Sequence, residues 1–293
     1  DRGACAVNAA APASIALRAA DGRMLAGLLL EAAPARGAIT VNGAAGYPRE
    51  FYLRFASYCA ERGYHTLVYD YRGIGASAQA PLRADPARMS DWGRFDMPAA
   101  LEWLAQRFPT LPLFTIGHSV GGQLAAAMPN QARARAHVML ATSTGYWRAE
   151  PVPMRWAALF FWFVYGPLTL HLFGYVPHSP IWRGRPLPRG VFLQWRRWCL
   201  RPEHFGPELA HELPDNQFAH SAGPLLAWAF SDDPIANPTT VEALLAFYPR
   251  ARIERRWTSP AEAGVRRIGH RGFFSARHRN SLWRALLDWI DAR

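Results

Sequence analysis

The sequence contains no lysine. All 33 basic residues are arginine, set against 22 acidic ones, for a formal net charge of +11 over 293 residues. Such a charge invites a nucleic-acid reading. The arginines are scattered, however, apart from short clusters at Arg196–Arg197, Arg250–Arg256 and Arg266–Arg271. Beside abundant alanine and proline, this usage looks like codon bias, and no nucleic-acid partner is expected. Cysteine is nearly absent too. Cys5, Cys59 and Cys199 lie far apart without a CxxC pair, which disfavours a zinc site and a disulfide framework. The odd count suits a reducing compartment, so a cytoplasmic location is expected, with an upstream segment left open because the sequence starts at Asp1. Residues 1–13 read as an alanine-rich tail without a secretory-signal pattern.

What is present is a core-forming chain, half hydrophobic. Asp21-Gly22 between two apolar runs in residues 14–32 reads as a β-hairpin. Short apolar runs then alternate with helical stretches. The expected strands are Ala38–Asn42, His65–Asp70, Leu113–Gly117, His137–Thr142, Pro224–Phe230 and Arg252–Thr258. The expected helices lie near Pro48–Arg62, Phe95–Phe108, Gly121–Met128, Thr240–Phe247 and Ala276–Ile290. This alternation argues for an α/β fold with a parallel sheet covered on both faces.

The alternation stops between about Tyr146 and Asp215. That stretch holds an almost unbroken apolar run, Trp156–Val176, long enough for a membrane helix. A span would put strands of one sheet on opposite sides of a membrane, and Gly166-Pro167 is expected to break the run. A helical lid of residues 146–215 is the better reading, inserted into a discontinuous core of 1–145 and 216–293. A weak membrane-surface contact through that lid stays open.

The chemistry centres on Gly117-His118-Ser119-Val120-Gly121, directly after one strand and before a helix. This is the G-x-S-x-G nucleophile elbow in its strand–turn–helix context. A turn this tight strains the serine backbone and leaves no room for flanking side chains, so glycines are needed. The helix N-terminus beneath it is expected to favour negative charge. A serine needs a base. His118 must point away from its neighbour, so His270, in the glycine-flanked Ile268-Gly269-His270-Arg271-Gly272 loop before the last helix, is preferred. The acid should follow the penultimate strand, at Phe230-Ser231-Asp232-Asp233-Pro234. Asp233 is favoured, with Asp232 capping the turn.

Val41-Asn42-Gly43-Ala44-Ala45-Gly46 follows the first parallel strand. It is either a plain glycine-rich turn or an oxyanion loop, with the Ala44 and Val120 amides as donors. Gly73-Ile74-Gly75-Ala76-Ser77-Ala78 imitates a dinucleotide fingerprint, but two prolines follow at Pro81 and Pro86, so NAD binding is rejected.

The elbow, the Ser…Asp…His order and the oxyanion loop together resemble the α/β-hydrolase superfamily. The loop Asp70-Tyr71-Arg72-Gly73-Ile74-Gly75-Ala76-Ser77 is similar to its D-x-R-G-x-G-x-S loop. The chain looks most like the bacterial serine-aminopeptidase-like and lysophospholipase-like branch. Two positions depart from the pattern: Asn42-Gly43 stands where His-Gly is usual, and Phe230 stands where a glycine is usual. The resemblance implies an eight-stranded, mostly parallel sheet with the lid after the sixth strand. The activity it implies is acyl transfer to water by a Ser119–His270–Asp233 triad, with no metal or organic cofactor. The expected substrate is an apolar carboxylic ester. Trp147, Trp156, Phe160, Phe161 and Trp162 are candidates for its acyl or alcohol pocket, with lid packing as the plainer explanation. Amidase, aminopeptidase and acyltransferase chemistry use the same triad, and a non-catalytic ligand-binding role on this fold also remains.

Overall fold

The structure, a computed structural model, describes residues 11–79 and 81–293. Cys5 and most of the alanine-rich N-terminal stretch lie outside the described residues. Eight strands form one sheet in the order β1-β2-β4-β3-β5-β6-β9-β10. These are β1 Ala13–Arg18, β2 Met24–Leu30, β3 Gly37–Asn42, β4 Tyr64–Tyr69, β5 Leu113–His118, β6 Ala136–Leu140, β9 Pro224–Phe230 and β10 Arg252–Thr258. The first hairpin is antiparallel and joins β4 antiparallel, while every pair from β4 to β10 is parallel. A separate two-stranded piece, β7 Tyr175–Val176 with β8 Leu187–Pro188, lies between β6 and β9 in sequence.

The central strands are apolar on both faces because both faces are covered. Along β9, Leu225, Ala227 and Ala229 enter one core cluster, and Leu226, Trp228 and Phe230 enter the other. That is the two-residue alternation of a strand. Helix Met97–Arg107 packs on the first face; helices Leu53–Glu61 and Leu282–Asp291 pack on the second.

All six expected parallel strands are present, but helix boundaries shift. The stretch expected as one helix after the elbow is a four-residue turn, Val120–Gln123, followed by a 3-10 turn at Ala125–Ala127. Gly121 and Gly122 weaken helix formation there, and Leu124 between the two pieces leaves helical geometry at φ −91°, ψ 8°. The last helix starts at Leu282 rather than Ala276, after a separate 3-10 turn. The ninth-strand helix starts earlier than expected, at Pro238, because Asn237 caps it by accepting from the Thr240 amide at 3.2 Å.

Between β6 and β9 the chain builds a helical insertion. Its longest helix runs from Met154 to Phe173. The expected break at Gly166-Pro167 does not occur. The helix widens into a π turn at Phe161–Tyr165 immediately before Pro167. Such a turn relieves the clash between a proline ring and the carbonyl four residues back. The insertion rests on the loops leaving the carboxyl ends of β3 and β4: the Arg185 amide donates to the Gly46 carbonyl at 2.6 Å, and Pro188 packs against Gly73.

Candidate active site

Ser119 follows β5 at the centre of the sheet. Its backbone sits at φ 53°, ψ −117°, a region L-residues rarely adopt. The turn is held by the Ser119 amide donating to the Leu140 carbonyl at 3.0 Å and by the Gly122 amide donating back to the Ser119 carbonyl at 2.9 Å. A side chain at Gly117 would strike the Gly122 backbone, and one at Gly121 would strike the Asn42 carbonyl. Both glycines are therefore required by close backbone approach. The helix behind Ser119 is only four residues long, so the expected macrodipole contribution is corrected to a minor one.

His270 lies in the loop between β10 and the last helix. Its Nε2 is 3.0 Å from Ser119 Oγ, and its Nδ1 is 2.8 Å from Asp233 Oδ2. Asp233 can only accept, so Nδ1 carries the proton and Nε2 is free to accept from the serine hydroxyl. Burial pushes the Asp233 carboxyl up, but the imidazole and the Ile235 and Ala236 amides outweigh it and hold it below the usual carboxylate range. Asp232 faces elsewhere. Its two oxygens accept from the Ile268 and Gly269 amides, both at 2.9 Å, and so anchor the loop that carries His270.

With this geometry in view, the comparisons are specific. Residues 33–171 match the family described as serine aminopeptidase, S33. Among solved structures, a soluble variant of the monoglyceride lipase from Saccharomyces cerevisiae, in complex with a substrate analog, aligns with TM-score 0.65 at 15% identity. That alignment covers 97% of this chain and 95% of that one. DcsB in complex with its substrate analogue aligns at 0.64 and 16% identity, covering 96% and 99%. The α/β hydrolase GrgF from Penicillium sp. aligns at 0.59 and 19% identity, covering 96% and 97%. No curated protein sequence matches. The chain has the α/β-hydrolase fold, and nearly half of it matches that one hydrolase family.

The loop after β3, expected to supply an oxyanion donor, is arranged differently. The Ala44 amide donates to the Tyr52 hydroxyl at 2.8 Å, so it is not an open donor. The Val120 amide is the first of its short helix and so has no intrahelical acceptor. The Tyr52 oxygen also lies 3.0 Å from His118 Nδ1, and His118 Nε2 lies 2.9 Å from the His270 carbonyl oxygen. A carbonyl only accepts, so Nε2 of His118 carries its proton and Tyr52 donates to Nδ1. Burial pushes the His118 imidazole down to about 3, which keeps it neutral. Sequence reasoning placed His118 away from the serine but missed this relay. No signal in the sequence pairs the two, since 66 residues separate Tyr52 from His118.

The five aromatic candidates do not form one pocket. Trp156 and Phe160 are 64% and 46% exposed, on the outer face of helix Met154–Phe173. Trp162 is buried inside the insertion against Phe192 and Trp195. Phe161 packs in the same aromatic group and against Trp182, and Trp147 stacks on Arg148. A helix with one packed face must send residues at four-residue spacing, such as 156 and 160, to the same outer side. The rings beside the histidines are instead Tyr47, Phe51, Tyr52 and Phe274 around His118.

One further group was not foreseen. Glu150, at the start of the insertion, is buried with its Oε2 unpartnered. Burial and the nearby Asp233 charge push its carboxyl up to about 8, against the opposing effect of Arg155. The D-x-R-G-like loop is a structural brace: Arg72 donates from its amide and Nε to Asp96 at 2.8 and 2.7 Å and reaches Asp21 as well.

Proposed function

We propose that this α/β-hydrolase cleaves carboxylic esters through an acyl-serine intermediate, without metal or organic cofactor. The observation that carries this reading is the unbroken hydrogen-bonded line from Ser119 Oγ through His270 to Asp233. His270 Nε2 removes the Ser119 proton as Oγ attacks the ester carbonyl, and Asp233 stabilises the resulting imidazolium. The Val120 amide receives the developing oxyanion. Collapse breaks the bond to the alcohol, which leaves with the proton from His270. Water then attacks the acyl-serine with His270 as base, releasing the acid and restoring the serine.

The substrate we propose is a small molecule with an apolar acyl or alcohol group. The aminopeptidase reading is favoured by the family description that matches residues 33–171. One experiment separates these readings: fluorophosphonate labelling of the protein and of Ser119→Ala, followed by kinetics on p-nitrophenyl esters of graded length and on aminoacyl p-nitroanilides. Labelling lost in Ser119→Ala, with ester turnover far above anilide turnover, is expected. Labelling that survives the substitution would move the nucleophile elsewhere. Preferred anilide cleavage would make the chain an aminopeptidase.

A further inference from the structure

Helix Met154–Phe173 spans about 30 Å at 1.5 Å per residue. Its inner side is fixed in the fold, with Trp162, Tyr165, Thr169 and Leu170 buried. Its outer side is apolar and open: Trp156, Phe160, Phe163, Val164, Leu168 and Leu172 are each 46–64% exposed. Of the twelve large hydrophobic side chains exposed among the described residues, ten fall between Val152 and Leu193. The apolar exposure of this protein is therefore one surface, not a scatter, and a concentration of this kind marks an interaction site.

The charge around it is equally one-sided. Residues 151–202 contain seven arginines and no aspartate or glutamate. Arg197 and Arg201 pair with Glu208. Arg183, Arg185, Arg189 and Arg196 make no salt bridge among the described residues, while Arg155 donates to the Glu150 carbonyl and lies near its carboxyl. Arg196 lies at the margin of the apolar face, its guanidinium 4.9 Å from the Phe163 ring and its Nε donating to the Trp162 carbonyl at 2.7 Å.

We propose that this face docks the protein on an anionic phospholipid surface, with helix Met154–Phe173 lying in the interface plane. An apolar stripe bordered by Arg196, on a segment that carries arginines and no acidic residue, is complementary to acyl chains beneath negative headgroups. A span is excluded by topology, since β6 and β9, on either side of the helix in sequence, are hydrogen-bonded neighbours in one sheet. A second copy fits worse, because a two-fold contact through this face would bring one acid-free arginine surface against another. The proposal stands independently of the reaction at Ser119.

The test is co-sedimentation of the full chain with phosphatidylcholine vesicles and with mixed phosphatidylcholine–phosphatidylglycerol vesicles, alongside analytical ultracentrifugation without lipid. Binding to the mixed vesicles is expected, weakened by high salt. The Phe163→Ser/Leu168→Ser double variant should lose roughly tenfold or more in affinity, from the apolar area removed. Arg183→Gln/Arg185→Gln should lose affinity for the anionic vesicles only. Because these side chains are exposed, melting temperatures should match the parent. Brominated lipid should quench part of the tryptophan fluorescence of the parent protein, and that part should be lost in Trp156→Phe. No binding to either vesicle, or binding indifferent to both double variants, would overturn the proposal. A lipid-free dimer that dissociates in Phe163→Ser/Leu168→Ser would overturn it in favour of a second copy.

Discussion

His118 and His270 are joined through the backbone: the imidazole N–H of the first donates to the carbonyl of the second at 2.9 Å, with Tyr52 closing the other side of the His118 ring. The residue beside Ser119 therefore holds the loop that carries His270. The same Tyr52 hydroxyl accepts from the Ala44 amide, so one buried line of hydrogen bonds ties the loop after β3, the strand before Ser119 and the His270 loop together. Within such a line each group is fully paired, which makes it rigid and intolerant of deletion.

His118→Ala should accordingly misplace His270 without removing any group from the reacting atoms. Geometry errors of about 1 Å at a catalytic group cost on the order of 100-fold. We expect kcat to fall roughly 10- to 100-fold with KM nearly unchanged. Steady-state kinetics on a short-chain ester, with melting temperature measured in parallel, decides this. A well-folded variant with parental kcat would make the relay mere core packing.

The two consecutive aspartates divide their labour, one gripping the imidazole and the other the backbone before it. Asp233→Asn should cost about 10⁴-fold in kcat, as loss of the acid does in another serine hydrolase. Asp232→Asn leaves two loop amides poorly paired, so it should lower the melting temperature and cost activity far less. If Asp232→Asn proves the more damaging to kcat in folded protein, the assignment of the acid is reversed.

This split shows what the sequence carried. Strand positions were legible because parallel strands buried on both faces are largely apolar runs, as in Leu225–Phe230. The elbow was legible because Gly117 and Gly121 meet backbone, a constraint that only glycine satisfies. Asp233 and His270 were singled out by their places after strands, and the fold brings them within 2.8 Å. Tyr52 and His118 were not legible as a pair, since 66 residues separate them and only the fold brings them to 3.0 Å. Trp156, Phe161 and Trp162 looked alike in sequence because aromatic content does not say which way a helix faces. The π turn at Phe161–Tyr165 further shifts that facing in a way no spacing rule anticipates.

The two tryptophans near the ends of that ambiguity make a stability prediction. Trp162 is buried against Phe192 and Trp195, whereas Trp156 is exposed. Trp162→Ala should destabilise by about 3–5 kcal/mol, the usual cost of emptying a large buried aromatic site. Trp156→Ala should stay within about 0.5 kcal/mol of the parent. Denaturant unfolding of both measures it. Comparable losses would mean that the outer face of the helix is packed in solution.

The pH dependence of stability should have two limbs with separate origins. His118, His137 and His204 are fully buried, and burial pushes them down to about 3, 4 and 3 from an ordinary value of 6.5. Below about pH 6.5 the unfolded chain binds protons that these rings refuse, so stability is lost as pH falls, on the order of 2 kcal/mol per ring by pH 5. Glu150 works in the other direction. Burial, reinforced by the Asp233 charge, pushes it up to about 8 from 4.5. Between those values the folded state keeps a proton that the unfolded chain has released. Stability therefore falls as pH rises through this window and levels off above about pH 8. Three histidines outweigh Glu150 and the buried Asp96, which burial pushes up to about 7, on the acid side, and this puts the maximum near pH 6.5. Glu150→Gln replaces the carboxyl with a neutral amide of the same shape, so it should erase the alkaline limb and leave the acid limb intact. Each pH unit between the two values is worth about 1.4 kcal/mol, so the variant should melt several degrees above the parent at about pH 9 and close to it at about pH 5. Parallel melting curves for parent and Glu150→Gln across that whole range would mean that Glu150 is ionised in the folded protein and that its unpartnered oxygen is met by solvent.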